Sequence, residues 1–253
     1  MRALTTFLFA VLLIAGTSYS FAKPRTTLKA DTSAVVDRQL SGFSGIKIGG
    51  PFEVHLVQGA VESVRIMAPD DVKDRIVAEV VRGVLTIHRK YDNWFWGEKS
   101  WWSDKGVWHN RPKIPVYITA KSINLIGLSG SGSISFSDGI TADFLKLQVR
   151  GSGEMEGKVK VSKLESHISG SGNINISGSA ESSSVKVTGS GHITARNLVT
   201  VTSAVHISGS GNAEINASEK IDAAVRGSGA VSYTGTATKV ISSTSGSGEI
   251  SRF

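Results

Sequence analysis

The chain has 253 residues, no cysteine, and 28 Lys and Arg against 21 Asp and Glu, for a formal charge of +7. The length supports one elongated domain or two adjoining ones. Without cysteine there is no disulfide framework, no thiolate chemistry and no Cys-based metal site, and the moderate positive excess suggests at most an affinity for acidic polymers or anionic envelope surfaces.

Residues 1–22 read as a secretory signal peptide. Arg2 supplies the positive start, residues 4–15 the short apolar run, and Ser20-Phe21-Ala22 the small residues before a cleavage point after Ala22. The run is too short for a comfortable membrane span, and no other stretch approaches that length. The mature chain is therefore expected to have no transmembrane segment, to be exported, and to reside in the periplasm or at the cell surface. Nucleic acid is a poor partner for an exported chain with no binding motif. Residues 23–40, with Lys23, Pro24, Arg25 and Lys29, read as a flexible polar leader.

Residues 41–120 read as an N-terminal β-rich cap over one end of the C-terminal repeat region. Strand-like runs occur at 45–48, 52–57, 62–68, 76–81 and 84–88. Arg82-Gly83 is a tight hairpin between the last two. Asp70-Asp71 after Pro69 can start a short helix through Arg75. All five tryptophans then fall in a loop over residues 91–111: Trp94, Trp96, Trp101, Trp102 and Trp108. That stretch has no sustained alternation. Flat aromatic faces stack on sugars or anchor protein partners; alternatively the rings fold back onto the cap as a satellite core.

Residues 121–253 carry the strongest signal. Gly-Ser-Gly begins at Gly130, Gly151, Gly170, Gly189, Gly209, Gly227 and Gly246, at steps of 18 to 21 residues. A period of about 19–20 marks a solenoid of stacked coils. Aligning on the tripeptide exposes an apolar column Leu128, Val149, Ile168, Val187, Ile207, Val225, Thr244, and a second one Ile134, Met155, Ile174, Ile193, Ala213, Val231, Ile250. Polar residues alternate with them, so each repeat offers strands with one buried face. The parity places both glycines inward and the serine outward, with its hydroxyl serving local turn groups. Parallel crossovers are right-handed in nearly all cases. The predicted fold is all-β: a right-handed parallel β-helix of seven coils with the N-terminal cap.

The order of these short motifs resembles a known family. Phe43-Ser44-Gly45-Ile46-Lys47-Ile48, Val64-Arg65-Ile66, Gly83-Val84-Leu85-Thr86-Ile87, residues 116–119 and the serial tripeptides together look like the head GIN domain family, labelled auto-transporter adhesins. The resemblance covers about residues 40–253. It implies an exported β-helical envelope protein without catalytic residues to carry over. The Trp cluster departs from it.

The search for chemistry gives little. Glu154 and Glu249, in one outward column, lie near opposite ends of the stack. His167 and His206 share a column two coils apart with Lys186 between, too far for one metal. The glycines match neither the nonapeptide calcium repeat nor a phosphate loop. The expected function is a non-enzymatic binding or structural module of the bacterial envelope, adhesin-like, with no cofactor and no metal. Its partner would be an envelope polymer, glycan or protein, met through the Trp-rich loop. The alternative is a β-helical carbohydrate-active enzyme, a polysaccharide lyase or hydrolase, which requires a groove with two carboxylates within one or two coils.

Overall fold

The structure is a computed structural model that describes residues 33–38 (backbone only), 40–90 and 112–253. All of them belong to one compact unit, Thr32–Phe253. Strand β1 (Ser33–Arg38) is followed by β2 (Gly45–Gly49), β3 (Phe52–Gln58) and β4 (Ser63–Pro69). A single turn of 3-10 helix (Lys73–Arg75) leads into the hairpin of β5 (Ile76–Val81) and β6 (Val84–Arg89). Next are β7 (Ile114–Ala120), β8 (Leu125–Gly130) and five long strands: β9 (Ser133–Gly151), β10 (Glu154–Gly170), β11 (Asn173–Gly189), β12 (His192–Gly209) and β13 (Asn212–Gly227). The chain closes with β14 (Ala230–Thr234), β15 (Lys239–Ser245) and β16 (Glu249–Arg252).

The long strands are the coils. From β10 to β13 each pairs in parallel with its predecessor along most of its length. Buried positions alternate along a coil and then reset, between Val161 and Leu164 in β10 and between Ala180 and Ser183 in β11. The reset is a second corner. Each coil thus has an entry side after the tripeptide and an exit side before the next one. The predicted columns are the observed ones: Leu128, Val149, Ile168, Val187, Ile207, Val225 and Thr244 stand in one continuous register. Those from Leu128 to Val225 are buried in one core cluster. The β-solenoid expected from the repeat is the fold.

The tripeptide corner differs in part from the sequence expectation. The second glycine, as in Gly153, Gly172 and Gly191, is buried as expected. The first is not inward. Gly170 and Gly189 have φ of +121° and +111°, and a Cβ on Gly189 would come within 2.6 Å of the Gly170 carbonyl oxygen. Stacked backbone, rather than a lack of interior room, requires glycine there. The serine backbone N–H does the fastening: Ser171 N donates to Gly151 O at 2.9 Å and Ser190 N to Gly170 O at 2.9 Å. The hydroxyls of Ser131, Ser152, Ser171, Ser190, Ser210, Ser228 and Ser247 belong to exposed residues and make no hydrogen bond among the described residues. Local turn satisfaction is therefore not their role.

Coil geometry also extends N-terminal to residue 121. β2 and β3 form a coil through Gly50, whose φ is +125° and whose N–H donates to Ser129 O at 3.1 Å. In space this coil lies between β6–β7 and β8–β9: β2 pairs with β6 and β8, and β3 with β7 and β9, all parallel. The corner there is Gly49-Gly50-Pro51, which carries no tripeptide signature. β1, β4 and β5 pair antiparallel at that end of the stack. Residues 33–38, inside the segment read as a leader, form the outermost of these strands. The Arg82-Gly83 turn has φ of 52° and 74°, as a tight two-residue hairpin requires.

Candidate functional site

Trp94, Trp96, Trp101, Trp102 and Trp108 lie outside the described residues. What the structure describes is where their segment departs and returns. His88 at the end of β6 is in register with Gly49, and Gly49 with Ser129. β6 therefore ends at the glycine corner, and β7 begins just past it, in register with β3. Lys90 N donates to Arg75 O at 2.7 Å and Ile114 N to Pro51 O at 3.0 Å. The described residues on either side of the aromatic segment thus stand at the edge of the solenoid where other coils turn in three residues.

The columns that flank that edge on its two sides differ in charge. On the entry side, the two outward columns next to the corner run Glu53, Ser133, Glu154, Asn173, His192, Asn212, Ala230, Glu249 and His55, Ser135, Glu156, Asn175, Thr194, Glu214, Ser232, Ser251. They hold five carboxylates and no Lys or Arg. On the exit side, the matching columns from β6 onward include Lys47, Gln148, His167, Lys186, His206 and, beside them, His88, Ser129, Arg150, Ser169, Thr188, Ser208, Arg226. They hold no carboxylate. Sequence order hides this separation, because acidic and basic residues alternate along the chain as it passes from one side to the other.

The electrostatics of the basic side are local and traceable. Glu165, one column further from the corner, is bracketed by Lys163 Nζ at 2.9 Å and Lys146 Nζ at 3.3 Å. The Lys163 hydrogen bond, aided by Lys146, holds its carboxyl below the usual range against the opposing effect of partial burial. Its charge is thereby compensated. His167 is pushed below its ordinary value of 6.5 by partial burial first, then by Lys186, Arg150 and Lys146. Among the described residues Arg150, Lys186 and Arg226 have no ion-pair partner.

Two other assemblies join residues distant in sequence. His55 stacks on Tyr117 with ring centroids 5.1 Å apart, and its Nδ1 lies 3.1 Å from Ser135 Oγ. Glu53 is 3.9 Å from His55 Nε2. Ser135 Oγ also donates to Val54 O at 3.3 Å, so the set fastens β3 to β9. At the second corner, an open groove of about 670 Å³ includes Asp143 on β9 and Glu181 on β11. These carboxylates are two coils apart in register and both are exposed. The pair lies outside the columns beside the tripeptide, the only ones that sequence alignment on Gly-Ser-Gly brings into line, and so was missed there. Among the described residues no cluster of His, Asp and Glu could hold a metal ion, and no helix is long and apolar enough to cross a membrane.

A parallel β-solenoid with a polar stripe at its glycine corner defines a class of extended, ladder-surfaced proteins. Within it, residues 42–237 match the family model described as "Putative auto-transporter adhesin, head GIN domain". The chain belongs to that family. None of the curated proteins matches it significantly. It is similar to the crystal structure of a "putative adhesin" from Bacteroides fragilis, with 26% identity, a TM-score of 0.78, and coverage of 87% of this chain and 96% of that one. Two structures from Parabacteroides distasonis share the fold. One is a "putative lipid binding protein" with 22% identity, a TM-score of 0.65 and coverage of 88% and 98%. The other is a "putative adhesin" with 21% identity, a TM-score of 0.66 and the same coverage. Family and neighbours are thus described as adhesins or binding proteins, consistent with a binding module.

Proposed function

We propose that the protein is an exported, non-enzymatic binding module of the bacterial cell envelope, in the periplasm or at the cell surface. Its contact with a glycan or protein partner is made through Trp94, Trp96, Trp101, Trp102 and Trp108. The observation that carries this reading is where the chain leaves β6 and resumes at β7. A repeat that turns in three residues elsewhere is interrupted, at the same edge, by a segment holding every tryptophan of the chain. An insertion at a solenoid corner is not needed to close a coil, and aromatic anchors dominate binding energy where they are used. Adhesin descriptions of the family and of the Bacteroides fragilis structure support the same class of function.

The test is Trp101→Ala with Trp102→Ala, followed by circular dichroism, thermal melting and retention on envelope and glycan fractions. The expected result is an unchanged fold and loss of binding, each anchor contributing about 2 kcal/mol. A large loss of stability with binding per folded molecule intact would assign the rings to a satellite core instead.

The enzyme reading has one observation in its favour, the Asp143–Glu181 groove. Two carboxylates two strands apart meet the spacing criterion, at roughly 10 Å between backbones. A general acid at neutral pH needs an environment that disfavors its charge. Both groups stand exposed to water, so the binding reading is placed first.

A further inference from the structure

We propose that the exit side of the solenoid, beside the glycine corner, is a binding track for a linear acidic polysaccharide lying along the stack. The track is built from one basic side chain on each of five successive coils: Arg150, His167, Lys186, His206 and Arg226. Arg150, Lys186, His206 and Arg226 are exposed, and His167 is half-buried between them. Lys47 extends the line toward the N-terminal coils. The proposal uses none of the tryptophans and does not rest on the reading of their segment.

Three features select the ligand. Adjacent strands are about 4.8 Å apart, so the permanent cations Arg150, Lys186 and Arg226 recur every second coil, at roughly 10 Å, with a histidine on each coil between, and the five span roughly 19 Å. A stiff polymer with a charge on regularly spaced sugars matches such a row; a compact anion would use only one or two members. Among the described residues the track carries no aromatic platform, which single-stranded nucleic acid would use for stacking. It also lacks the apolar face that an interfacial membrane contact buries. The acidic columns across the corner, with Glu154 and Glu156, repel the same polymer and confine it to one side.

The experiment measures binding of the full mature chain to polygalacturonate oligomers of graded length. Neutral dextran and phosphatidylglycerol vesicles are the comparison ligands, each at low and high salt. Affinity is expected to rise with oligomer length until the five coils are spanned, and to fall with salt. Lys186→Glu with Arg226→Glu is expected to lower it at least tenfold. Glu156→Lys, on the opposite side, changes it by less than about twofold. Lys186→Gln with Arg226→Gln provides the same test if the reversed charges impair folding. The proposal is overturned by absence of binding, by length-independent affinity, or by stronger binding to vesicles. It is equally overturned if Glu156→Lys strengthens binding as much as Lys186→Glu weakens it, since that reports net charge alone. Loss of polygalacturonate binding in the Trp101→Ala, Trp102→Ala variant would move the site to the insertion.

Discussion

Single residues show how little tolerance a stacked core has. Val187 is fully buried, between Ile168 and Ile207 in adjacent coils. Val187→Ile adds one methylene to a column that already accepts Ile on either side, and a melt within a few degrees of wild type is expected. Val187→Asp buries a charge with no partner, a loss on the order of 4 kcal/mol, visible as a fall of about 10 °C or more in Tm. His167 makes a different prediction. Its folded-state pKa lies below 6.5 because of burial and the cations Lys186, Arg150 and Lys146. The unfolded chain therefore binds its proton more readily. The stabilising contribution is present above pH 6.5 and is lost as pH falls through the folded value. Thermal melts from pH 8 to 5 should show a shallower decline for His167→Gln than for wild type; identical slopes would remove His167 as the cause.

At the scale of the coil, the tripeptide divides its work unevenly. Gly189 holds a backbone conformation that side chains rarely adopt, and a Cβ there would strike the Gly170 carbonyl. Gly189→Ala must shift one coil against the next and is expected to cost about 1–3 kcal/mol. Ser190, exposed and without a side-chain hydrogen bond, is different. Ser190→Ala is expected to change stability by less than about 0.5 kcal/mol. Chemical denaturation of both variants checks the pair. If the serine substitution proves the costlier, the hydroxyl ladder has a structural role after all. The same reasoning explains Gly157: it faces the Phe136 ring of the neighbouring coil, which occupies the space a side chain would need.

For the whole molecule, repetition converts a modest local preference into a directional surface. Each coil adds one position to every column, so a bias of charge at one position becomes a stripe. The acidic and basic stripes on either side of the serine ladder arise this way. Under the proposed function, export sets those stripes against envelope polymers. Mass spectrometry of the protein from its native host is expected to find a chain starting at Lys23. An intact chain beginning at Met1 in the cytosol would remove the envelope assignment and the binding partners that depend on it.

The repeat period, the buried columns from Leu128 to Val225, the Arg82-Gly83 hairpin and the solenoid itself were all legible in sequence. The physical reason is that each depends on neighbours along the chain or on strict periodicity, and both leave a pattern in residue order. The tryptophans were legible as a cluster, but not what they touch. Other features were decided only by tertiary structure. The coil of β2 and β3 inserts between β6–β7 and β8–β9, out of chain order, because any strand pair with the right registry can fill a slot in a parallel stack. Asp143 and Glu181 share a groove because the second corner brings every coil back to the same place. The basic track exists because residues about twenty apart become neighbours about 5 Å apart once coils stack. Sequence supplied those side chains one per repeat, and only the register of the stack set them in line.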